Sequence, residues 1–282
     1  MKAVLIFGAG RTGQKIYEEI KNDCKVIAFL DNNEKYWGEE VDGCPIIGDA
    51  KVCDTLEYDE IIVGSLLGMN AMREQLLAGG VPATKINTGF CETEIIARNN
   101  FIKNYSKTCG FKRDEEVCVA EGGVFQGEFA KKINAYFPTN TLYLFDTFEG
   151  FDARDVKVEK ERNFSVSEEA QLNMTNQELV LEKMLYKEKV VIQKGYFPET
   201  TIGLENKKFG FVNLDFDLYK PTLEGLRFFY PKLVKGGCIL IHDYYNAWYK
   251  GVGAAIEKFE EEYGEIIKFP IGDDCSLGIL KM

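Results

Sequence analysis

Acidic residues follow two apolar segments that lie close together in the second half of the sequence. Phe211–Leu214 is followed by Asp215 and Asp217, and Cys238–Ile241 leads to Asp243. Between them, apolar residues recur at helical spacing, which predicts a strand, a crossover helix and a second, parallel strand. Neighbouring parallel strands lie about 4.8 Å apart and end at the same edge of a sheet. We therefore expect the carboxylates to converge, so that a cation or a proton must offset their repulsion.

A glycine-rich turn near the start of the chain has the pattern of a nucleotide site. Gly8, Gly10 and Gly13 follow an apolar strand, and Asp31 ends the second strand. Such glycines let a pyrophosphate approach a helix N terminus, and an acid roughly 20 residues further on can accept a hydrogen bond from a ribose hydroxyl. The candidate nucleotide contacts are Gly8, Gly10, Arg11, Gly13 and Asp31. The alternative for this segment is a structural role or one in forming a homo-oligomer.

A second glycine turn follows a later predicted strand, Val117–Ala120. Glu121, Gly123 and Gly127 would let an uncharged backbone turn lie against the amino-acid part of a cofactor. Asp146 ends the next predicted strand, where it could bind a ribose diol by the same logic as in a dinucleotide site. NAD is therefore an alternative cofactor for this turn. The structural alternative for Asp146 is that it caps a helix.

Alternation of strands and helices divides the chain into three segments. Residues 1–90 predict a small Rossmann-like module, residues 91–109 a helical linker, and residues 110–282 a larger α/β domain with seven strands. Within the larger domain, residues 152–161 are polar and predict a mobile loop that a minimal sheet does not need. Residues 175–178 predict a capping box, with Thr at its first position, before a short helix.

Composition narrows the class of protein. The 282 residues, 45% of them apolar, suffice for one large domain or two modest ones. A formal net charge of −11 disfavours nucleic acid as a partner, because its phosphates would be repelled. The eight cysteines form no C-x-x-C pair, so neither a zinc ribbon nor a disulfide framework is indicated. No signal pattern and no apolar run of roughly 20 residues is found, which predicts a cytoplasmic protein without a membrane span.

The segments around the acidic strand ends resemble the macrocin O-methyltransferase (TylF-type) family. The matching runs are DFDLYKPT, FFYPKLVKGGCILIHDYY, FDTFEGF and GYFPET. Members of that family are S-adenosylmethionine-dependent enzymes that methylate sugar hydroxyls with help from a divalent metal. The resemblance covers residues 105–282 and implies a class I methyltransferase domain, a seven-stranded, doubly wound α/β fold. In the same way, FGAGRTG, FLDNN and GCPIIG resemble the small Rossmann-like modules that precede sugar-modifying transferases.

The resemblance implies that the larger domain binds S-adenosylmethionine. The candidate contacts lie in the second glycine turn and after the two strands that follow it: Glu121, Gly122, Gly123, Gln126, Gly127, Asp146, Thr147, Phe148, Gly195, Tyr196 and Phe197. It also implies that Asp215 is both a metal ligand and the base that takes the proton of the acceptor hydroxyl. Asp217 and Lys220 are the other candidate catalytic residues. Asp217 could complete the site or act as the base, and Lys220 is a rival base because a lysine near other cations can have a lowered pKa.

The expected ligands of a divalent cation, either magnesium or a transition metal, are Asp215, His242 and Asp243. The family commonly has two acids before the tyrosine at this point, and His242, the only histidine in the chain, replaces one of them. As a ligand, His242 would favour a transition metal over magnesium. The alternative is a hydrogen-bonded histidine of the core.

The sequence therefore predicts an S-adenosylmethionine-dependent, metal-assisted O-methyltransferase. Its expected acceptor is a sugar, a nucleotide-sugar or a glycan intermediate. Two alternatives stay open on the sequence alone. One is a non-catalytic nucleotide-sugar-binding protein whose methyltransferase domain is inactive. The other is an NAD-dependent sugar oxidoreductase that uses the first ninety residues.

Overall fold

A computed structural model describes all 282 residues, which form two compact units. The units are Met1–Ile95 and Ile96–Met282, and each contains a parallel or mixed sheet of its own. None of the helices combines the length and the apolar character that crossing a bilayer requires.

The first unit is a small parallel sheet with apolar side chains on both faces. Its elements are β1 (Lys2–Phe7), α1 (Arg11–Ile20), β2 (Cys24–Leu30), β3 (Glu40–Val41), β4 (Cys44–Pro45), β5 (Glu60–Val63), α2 (Met69–Ala78) and β6 (Ile86–Asn87). The sheet order is β2-β1-β5-β6 with all pairs parallel, while β3 and β4 form a short antiparallel pair. Val4 and Ile6 pack in one core cluster and Leu5 and Phe7 in another, as expected for a strand buried on both faces.

The glycine turn after β1 lets three backbone segments pack closely. A Cβ atom at Gly13 would lie 1.8 Å from the carbonyl oxygen of Gly8, and one at Gly8 would lie 2.6 Å from that of Gly64. Gly8 also has a φ of +117°, which favours glycine. A Cβ atom at Gly10, in contrast, would meet nothing within 4 Å. Packing therefore requires Gly8 and Gly13 but not Gly10.

The second unit contains a mixed seven-stranded sheet. Its elements, beginning with the helix that contains the unit boundary, are α3 (Gly89–Thr108), β7 (Val117–Gly122), α4 (Ala130–Tyr136), β8 (Leu142–Asp146), α5 (Ala153–Arg162), α6 (Gln177–Glu182), β9 (Val190–Lys194), β10 (Lys208–Leu214), α7 (Tyr219–Phe229), β11 (Leu233–Ile241), α8 (Lys250–Tyr263), β12 (Ile267–Pro270) and β13 (Leu277–Leu280). The order is β12-β13-β11-β10-β7-β8-β9, and β13 runs antiparallel to both of its neighbours. The predicted seven-stranded α/β sheet is confirmed.

The central strands β7, β10 and β11 end side by side. Leu214 of β10 lies opposite Ile241 of β11 and opposite Gly122 of β7, and both pairs are parallel. Two separate apolar clusters contain alternate residues of these strands, so the sheet is covered on both faces. The parallel crossover predicted from the sequence is confirmed, and the residues that follow these strands share one edge.

Residues 152–161 are mostly helical, so the loop predicted from their polar composition is wrong. Asp152 caps α5 by accepting a hydrogen bond from the backbone N–H of Arg154. Asp155 and Glu159 on this helix are buried. Both carboxylates accept hydrogen bonds from side chains elsewhere in the unit, which composition alone cannot reveal.

Glu159 connects α5 to the start of α7. Its carboxylate accepts hydrogen bonds from the backbone N–H of Tyr219 at 2.7 Å and from the hydroxyl of Ser165 at 2.8 Å. The N-cap residue of α7, Leu218, makes no side-chain capping bond. Glu159 therefore supplies the missing cap from another helix, and its negative charge lies at the positive end of the α7 dipole.

The sequence pattern predicted Thr175 as the cap of α6. In the structure the cap is Asn176. The side chain of Asn176 accepts a hydrogen bond from the backbone N–H of Leu179. The hydroxyl of Thr175 instead donates to the carbonyl oxygen of Phe125. The capping residue is displaced by one position because Thr175 bonds to the second glycine turn.

Replacement of Gly13 by alanine should destabilise the first unit by about 2 kcal/mol, the upper end of the overpacking cost less the gain in helix propensity. Overpacking against backbone typically costs about 1–3 kcal/mol or more, which exceeds the gain of about 1 kcal/mol in helix propensity. Urea unfolding monitored by the fluorescence of Trp37, in a Trp248→Phe background, measures this change. Gly10→Ala is the matched control and should cost less, about 0.5–1 kcal/mol, because alanine is a poorer N-cap residue than glycine but its Cβ atom would meet nothing within 4 Å. Equal stability of the two variants would contradict the packing argument.

Candidate active site

The buried carboxylate of Glu121 lies near the end of β7. Asn213, opposite it on β10, donates a hydrogen bond from Nδ2 to Oε1 of Glu121 at 2.8 Å. The other oxygen, Oε2, is buried and has no hydrogen-bond partner. Burial raises the pKa of Glu121 well above its ordinary value, although the charge of Arg98 opposes the shift. This part of the site thus holds a buried acceptor that no protein donor satisfies.

The structure brings Asp215, His242 and Asp243 together at the neighbouring strand ends. The Nδ1 atom of His242 lies 3.1 Å from Oδ1 of Asp215 and 2.8 Å from Oδ2 of Asp243. Asp217 hydrogen-bonds to Asp243, and Asn246 donates to Oδ1 of Asp243 at 2.6 Å. One ligand atom from each of the first three residues lies within 4.8 Å of the others, so the three side chains could bind one ion.

Arg98 on α3 is a cation of this edge that was not identified from the sequence. Its Nη2 atom donates to Oδ2 of Asp215 at 2.7 Å and to Oδ1 of Asn213 at 3.1 Å. The guanidinium carbon lies 4.1 Å from the centroid of the Phe129 ring, in a cation–π contact. Arg98 precedes Asp215 by 117 positions, so no local spacing pattern could have indicated the pair.

The charges of the edge compensate one another. Burial lowers the pKa of His242, but the charges of Asp215 and Asp243 outweigh it and raise that pKa well above its ordinary value. Burial raises the pKa of Asp215, but His242 and Arg98 outweigh it and hold that pKa below its ordinary value. Burial and the charge of Asp243 raise the pKa of Asp217 well above its ordinary value. The shifts thus favour the charged forms of Asp215 and His242 and the protonated form of Asp217.

Cys275 lies beside the ring of His242, and it too was not identified from the sequence. Its Sγ atom is 3.5 Å from Nε2 of His242 and 3.7 Å from Oδ1 of Asp243. These residues are 33 and 32 positions apart from it, and Cys275 belongs to no cysteine motif. Only the antiparallel return of β13 beside β11 brings them together.

Lys220 pairs with Asp155 of α5 rather than with the acids of the strand ends. Its Nζ atom lies 3.8 Å from Oδ1 of Asp155 and 5.3 Å from the centroid of the Tyr196 ring. The hydroxyl of Tyr196 donates to the same carboxylate at 2.7 Å. Since Asp215 already contacts His242 at the edge, the geometry favours Asp215 over Lys220 as the candidate base.

Asp146 organises the second glycine turn. Its Oδ2 atom accepts hydrogen bonds from the backbone N–H groups of Val124 at 2.7 Å and Phe125 at 2.9 Å. Its Oδ1 atom accepts one from the N–H of Phe148 at 2.6 Å. A carboxylate has about four acceptor positions, so one remains for a ribose hydroxyl. Asp146 therefore holds the local backbone and still has capacity for a ligand.

The glycines of this turn are also needed for packing. A Cβ atom at Gly123 would lie 2.0 Å from the carbonyl oxygen of Asp215, and one at Gly122 would lie 2.2 Å from the ring of Phe216. Gly123 and Gly127 have φ values of +79° and +77°, which favour glycine. The turn consequently lies directly against the segment that carries Asp215.

The remaining predicted cofactor contacts differ in what their side chains can reach. Gln126 donates a hydrogen bond to the backbone carbonyl of Met174, and Thr147 donates one to the carbonyl of Gly150 in its own turn. Gly195 donates its backbone N–H to the carbonyl oxygen at the end of β8. Phe148 and Phe197 are buried in the two apolar clusters of the sheet, so a cofactor could contact only their backbone.

In the first unit, Asp31 holds the other glycine turn. Its Oδ2 atom accepts a hydrogen bond from the N–H of Ala9, and its Oδ1 atom accepts one from the N–H of Asn33, both at 2.8 Å. Gly10 is the N-cap of α1, which begins at Arg11 and has no side-chain capping bond. Nucleotide binding at this turn stays a prediction.

Comparisons with known proteins agree with the fold and the motifs. The family model for macrocin-O-methyltransferase (TylF) matches residues 119–273, more than half of the chain, and a model described as C2185-like, N-terminal, matches residues 1–87. No curated protein matches the chain significantly.

Solved structures of two methyltransferases have a similar fold. The O-methyltransferase NovP is 18% identical with a TM-score of 0.53, and the match covers 66% of this chain and 80% of that one. The calicheamicin methyltransferase CalS11 is 16% identical with a TM-score of 0.53, and the match covers 76% of this chain and 90% of that one. With the family match over the glycine turn and both acidic strand ends, the chain belongs to the macrocin-O-methyltransferase (TylF) family and is an S-adenosylmethionine-dependent O-methyltransferase.

Proposed function

We propose that this enzyme transfers the methyl group of S-adenosylmethionine to a hydroxyl of a sugar, a nucleotide-sugar or a glycan intermediate. One observation carries the proposal: the unpaired oxygen of Glu121 and the Asp215–His242 pair lie at the ends of the neighbouring strands β7, β10 and β11. The oxygen of Glu121 complements a cationic cofactor, and the Asp215–His242 pair can activate a hydroxyl. The resemblance to sugar-methylating enzymes supports the acceptor class.

Glu121 and the glycine turn would hold the amino-acid part of the cofactor. The ammonium group there is a cation, and a buried carboxylate oxygen without a donor is its electrostatic complement. The three backbone hydrogen bonds of Asp146 hold the turn in place before the cofactor binds, so little conformational entropy is lost on binding.

Asp215 would act as the base for the acceptor. The hydroxyl oxygen attacks the methyl carbon, a C–O bond forms, and the C–S bond of the sulfonium breaks with its electron pair going to sulfur. The hydroxyl proton passes to the carboxylate of Asp215, which Arg98 and His242 keep ionised and oriented. Because the turn at Gly123 contacts the backbone of Asp215, base and cofactor turn are held in one rigid arrangement.

A divalent ion fits this edge of the sheet. Asp215, His242 and Asp243 offer two carboxylates and one imidazole within reach of a single ion, a set that suits a transition metal better than magnesium. Such an ion would supply Lewis-acid polarisation of the acceptor hydroxyl and lower its pKa.

Exposed aromatic rings beside the edge support a sugar acceptor. Tyr245 and Trp248 follow Asp243 in the chain, and their exposed fractions are 49% and 38%. Rings of this kind offer an apolar face with a polar edge, which suits the mixed surface of a sugar ring. They are therefore the candidate platform for the acceptor.

Replacement of Glu121 by glutamine should weaken binding of S-adenosylhomocysteine by about 1.5–3 kcal/mol, because a hydrogen bond to a charged group is replaced by a neutral one. The shape of the side chain is kept, and removal of a buried charge should not lower the free energy of unfolding. Isothermal titration calorimetry measures the affinity.

5′-Methylthioadenosine is the matched control ligand, since it lacks the amino-acid part and should bind both proteins equally. Unchanged affinity of Glu121→Gln for S-adenosylhomocysteine would contradict the assignment of Glu121. Binding of NAD in place of S-adenosylhomocysteine would support the oxidoreductase alternative.

Replacement of Asp215 by asparagine should lower kcat by about 100- to 10,000-fold, the range for loss of a general base, and leave the affinity for S-adenosylhomocysteine unchanged. Methyl transfer to a panel of sugars and nucleotide-sugars measures the rate. Lys220→Met tests the rival base and should retain most activity, because Lys220 pairs with Asp155. An inactive Lys220→Met beside an active Asp215→Asn would reverse the assignment.

Removal of divalent ions should abolish turnover without preventing cofactor binding. Excess EDTA takes away the Lewis acid, whereas the glycine turn and Glu121 stay in place. Turnover is compared before and after EDTA and after re-addition of Mg²⁺, Mn²⁺ or Zn²⁺. Full activity in EDTA would exclude a metal from the reaction and leave Asp215 as a simple base.

A further inference from the structure

Two buried polar atoms near the ends of β7 and β10 have no hydrogen-bond partner in the protein. One is Oε2 of Glu121, which is an acceptor, and the other is Nε of Arg98, which is a donor. Each atom has lost its hydrogen bonds to water on folding and has gained none in return, which costs free energy. A ligand that offers both a donor and an acceptor would remove both costs.

The side-chain amide of Asn213 holds Glu121 and Arg98 on either side of it. Its Nδ2 atom donates to Oε1 of Glu121 at 2.8 Å, and its Oδ1 atom accepts from Nη2 of Arg98 at 3.1 Å. Asn213 is fully buried, so this link belongs to the core of the sheet. One amide group therefore separates the carboxylate from the guanidinium, and packing fixes that separation.

We propose that Arg98 binds the carboxylate of the amino-acid part of S-adenosylmethionine, beside the ammonium group that Glu121 binds. The inference rests on the proposed role of Glu121 and adds a second cofactor-binding residue. Arg98 lies on α3, outside residues 119–273, so the match to the family model does not include it.

The amino-acid part of the cofactor matches the two unpaired atoms in charge and in spacing. Its ammonium group only donates hydrogen bonds, and its carboxylate only accepts them. The ammonium nitrogen and the nearer carboxylate oxygen are about 3 Å apart, close to the distance of about 2.3 Å between the nitrogen and the oxygen of the Asn213 amide. A zwitterion beside this amide can thus reach both residues, whereas a simple anion such as phosphate would pair with Arg98 and be repelled by Glu121.

The guanidinium of Arg98 is held in position by contacts that do not use Nε. Its Nη2 atom also donates to Oδ2 of Asp215 at 2.7 Å, and its carbon lies 4.1 Å from the centroid of the Phe129 ring. The side chain is 14% exposed, so it is not sealed from the surface. The N–H of Nε can therefore donate a charge-assisted hydrogen bond to a ligand with little loss of side-chain entropy.

Isothermal titration of the full chain with S-adenosylhomocysteine and with its decarboxylated form tests the proposal. The decarboxylated ligand retains the ammonium group and lacks only the carboxylate. The wild-type protein should bind it about 10- to 100-fold more weakly than S-adenosylhomocysteine, the effect of losing a hydrogen bond to a charged group. Arg98→Gln should bind S-adenosylhomocysteine more weakly by the same factor and should bind the two ligands with nearly equal affinity.

Asp215→Asn is the matched control, because it changes the other partner of the same guanidinium and leaves Nε in place. This variant should retain the full preference for S-adenosylhomocysteine. Glu121→Gln should weaken both ligands alike, since both carry the ammonium group, and this comparison reports separately on the proposed role of Glu121.

The comparison of the two ligands on the wild-type protein does not depend on the folding of any variant. Equal affinity of the wild-type protein for the two ligands would overturn the proposal. A preference for S-adenosylhomocysteine that persists in a folded Arg98→Gln would also overturn it, because Arg98 would then act only on the fold.

Discussion

The second unit depends on the compensation of carboxylates that parallel strands bring together. Asp215 and Asp243 follow neighbouring strands, so the fold itself creates their repulsion. Arg98 and His242 offset these charges, and burial with the charge of Asp243 raises the pKa of Asp217. In such a group each charge offsets part of the cost of burying its partners. The acids of the site and the cations beside it therefore form one electrostatic unit, in which a change at any member alters the others.

The regular parts of the fold could be predicted because their sequence signals are local. Apolar runs, helical spacing and glycine turns indicated the strand order of the crossover and the seven strands of the sheet. The helix α5 was missed because Asp155 and Glu159 are acidic and yet buried. Their burial depends on donors such as Tyr196 and Ser165, which lie in other segments of the chain. Composition indicates how often a residue type is buried on average, whereas the burial of these two side chains is stabilised by particular hydrogen-bond partners.

In the candidate site, the residues at strand ends could be predicted from the sequence, and the residues from other elements could not. Asp215, His242 and Asp243 were indicated because each follows a strand, and the topology of the sheet determines where strand ends lie. Arg98 and Cys275 were not, because they come from α3 and from the loop before β13 and approach the edge only through tertiary packing. The sequence thus indicated the acids that need compensation, and the structure was needed to find the arginine and the thiol beside them.

The cap that Glu159 provides for α7 has a mechanical consequence. If α5 moved away, α7 would lose its cap, at a cost of about 1 kcal/mol, and a buried carboxylate would lose its partners. The two helices are therefore coupled and should be displaced together. Since α7 begins directly after the segment of Asp215 and Asp217, any motion of α5 is transmitted to the strand end that carries the candidate base. The helix α5 is thus part of the frame that sets the position of Asp215.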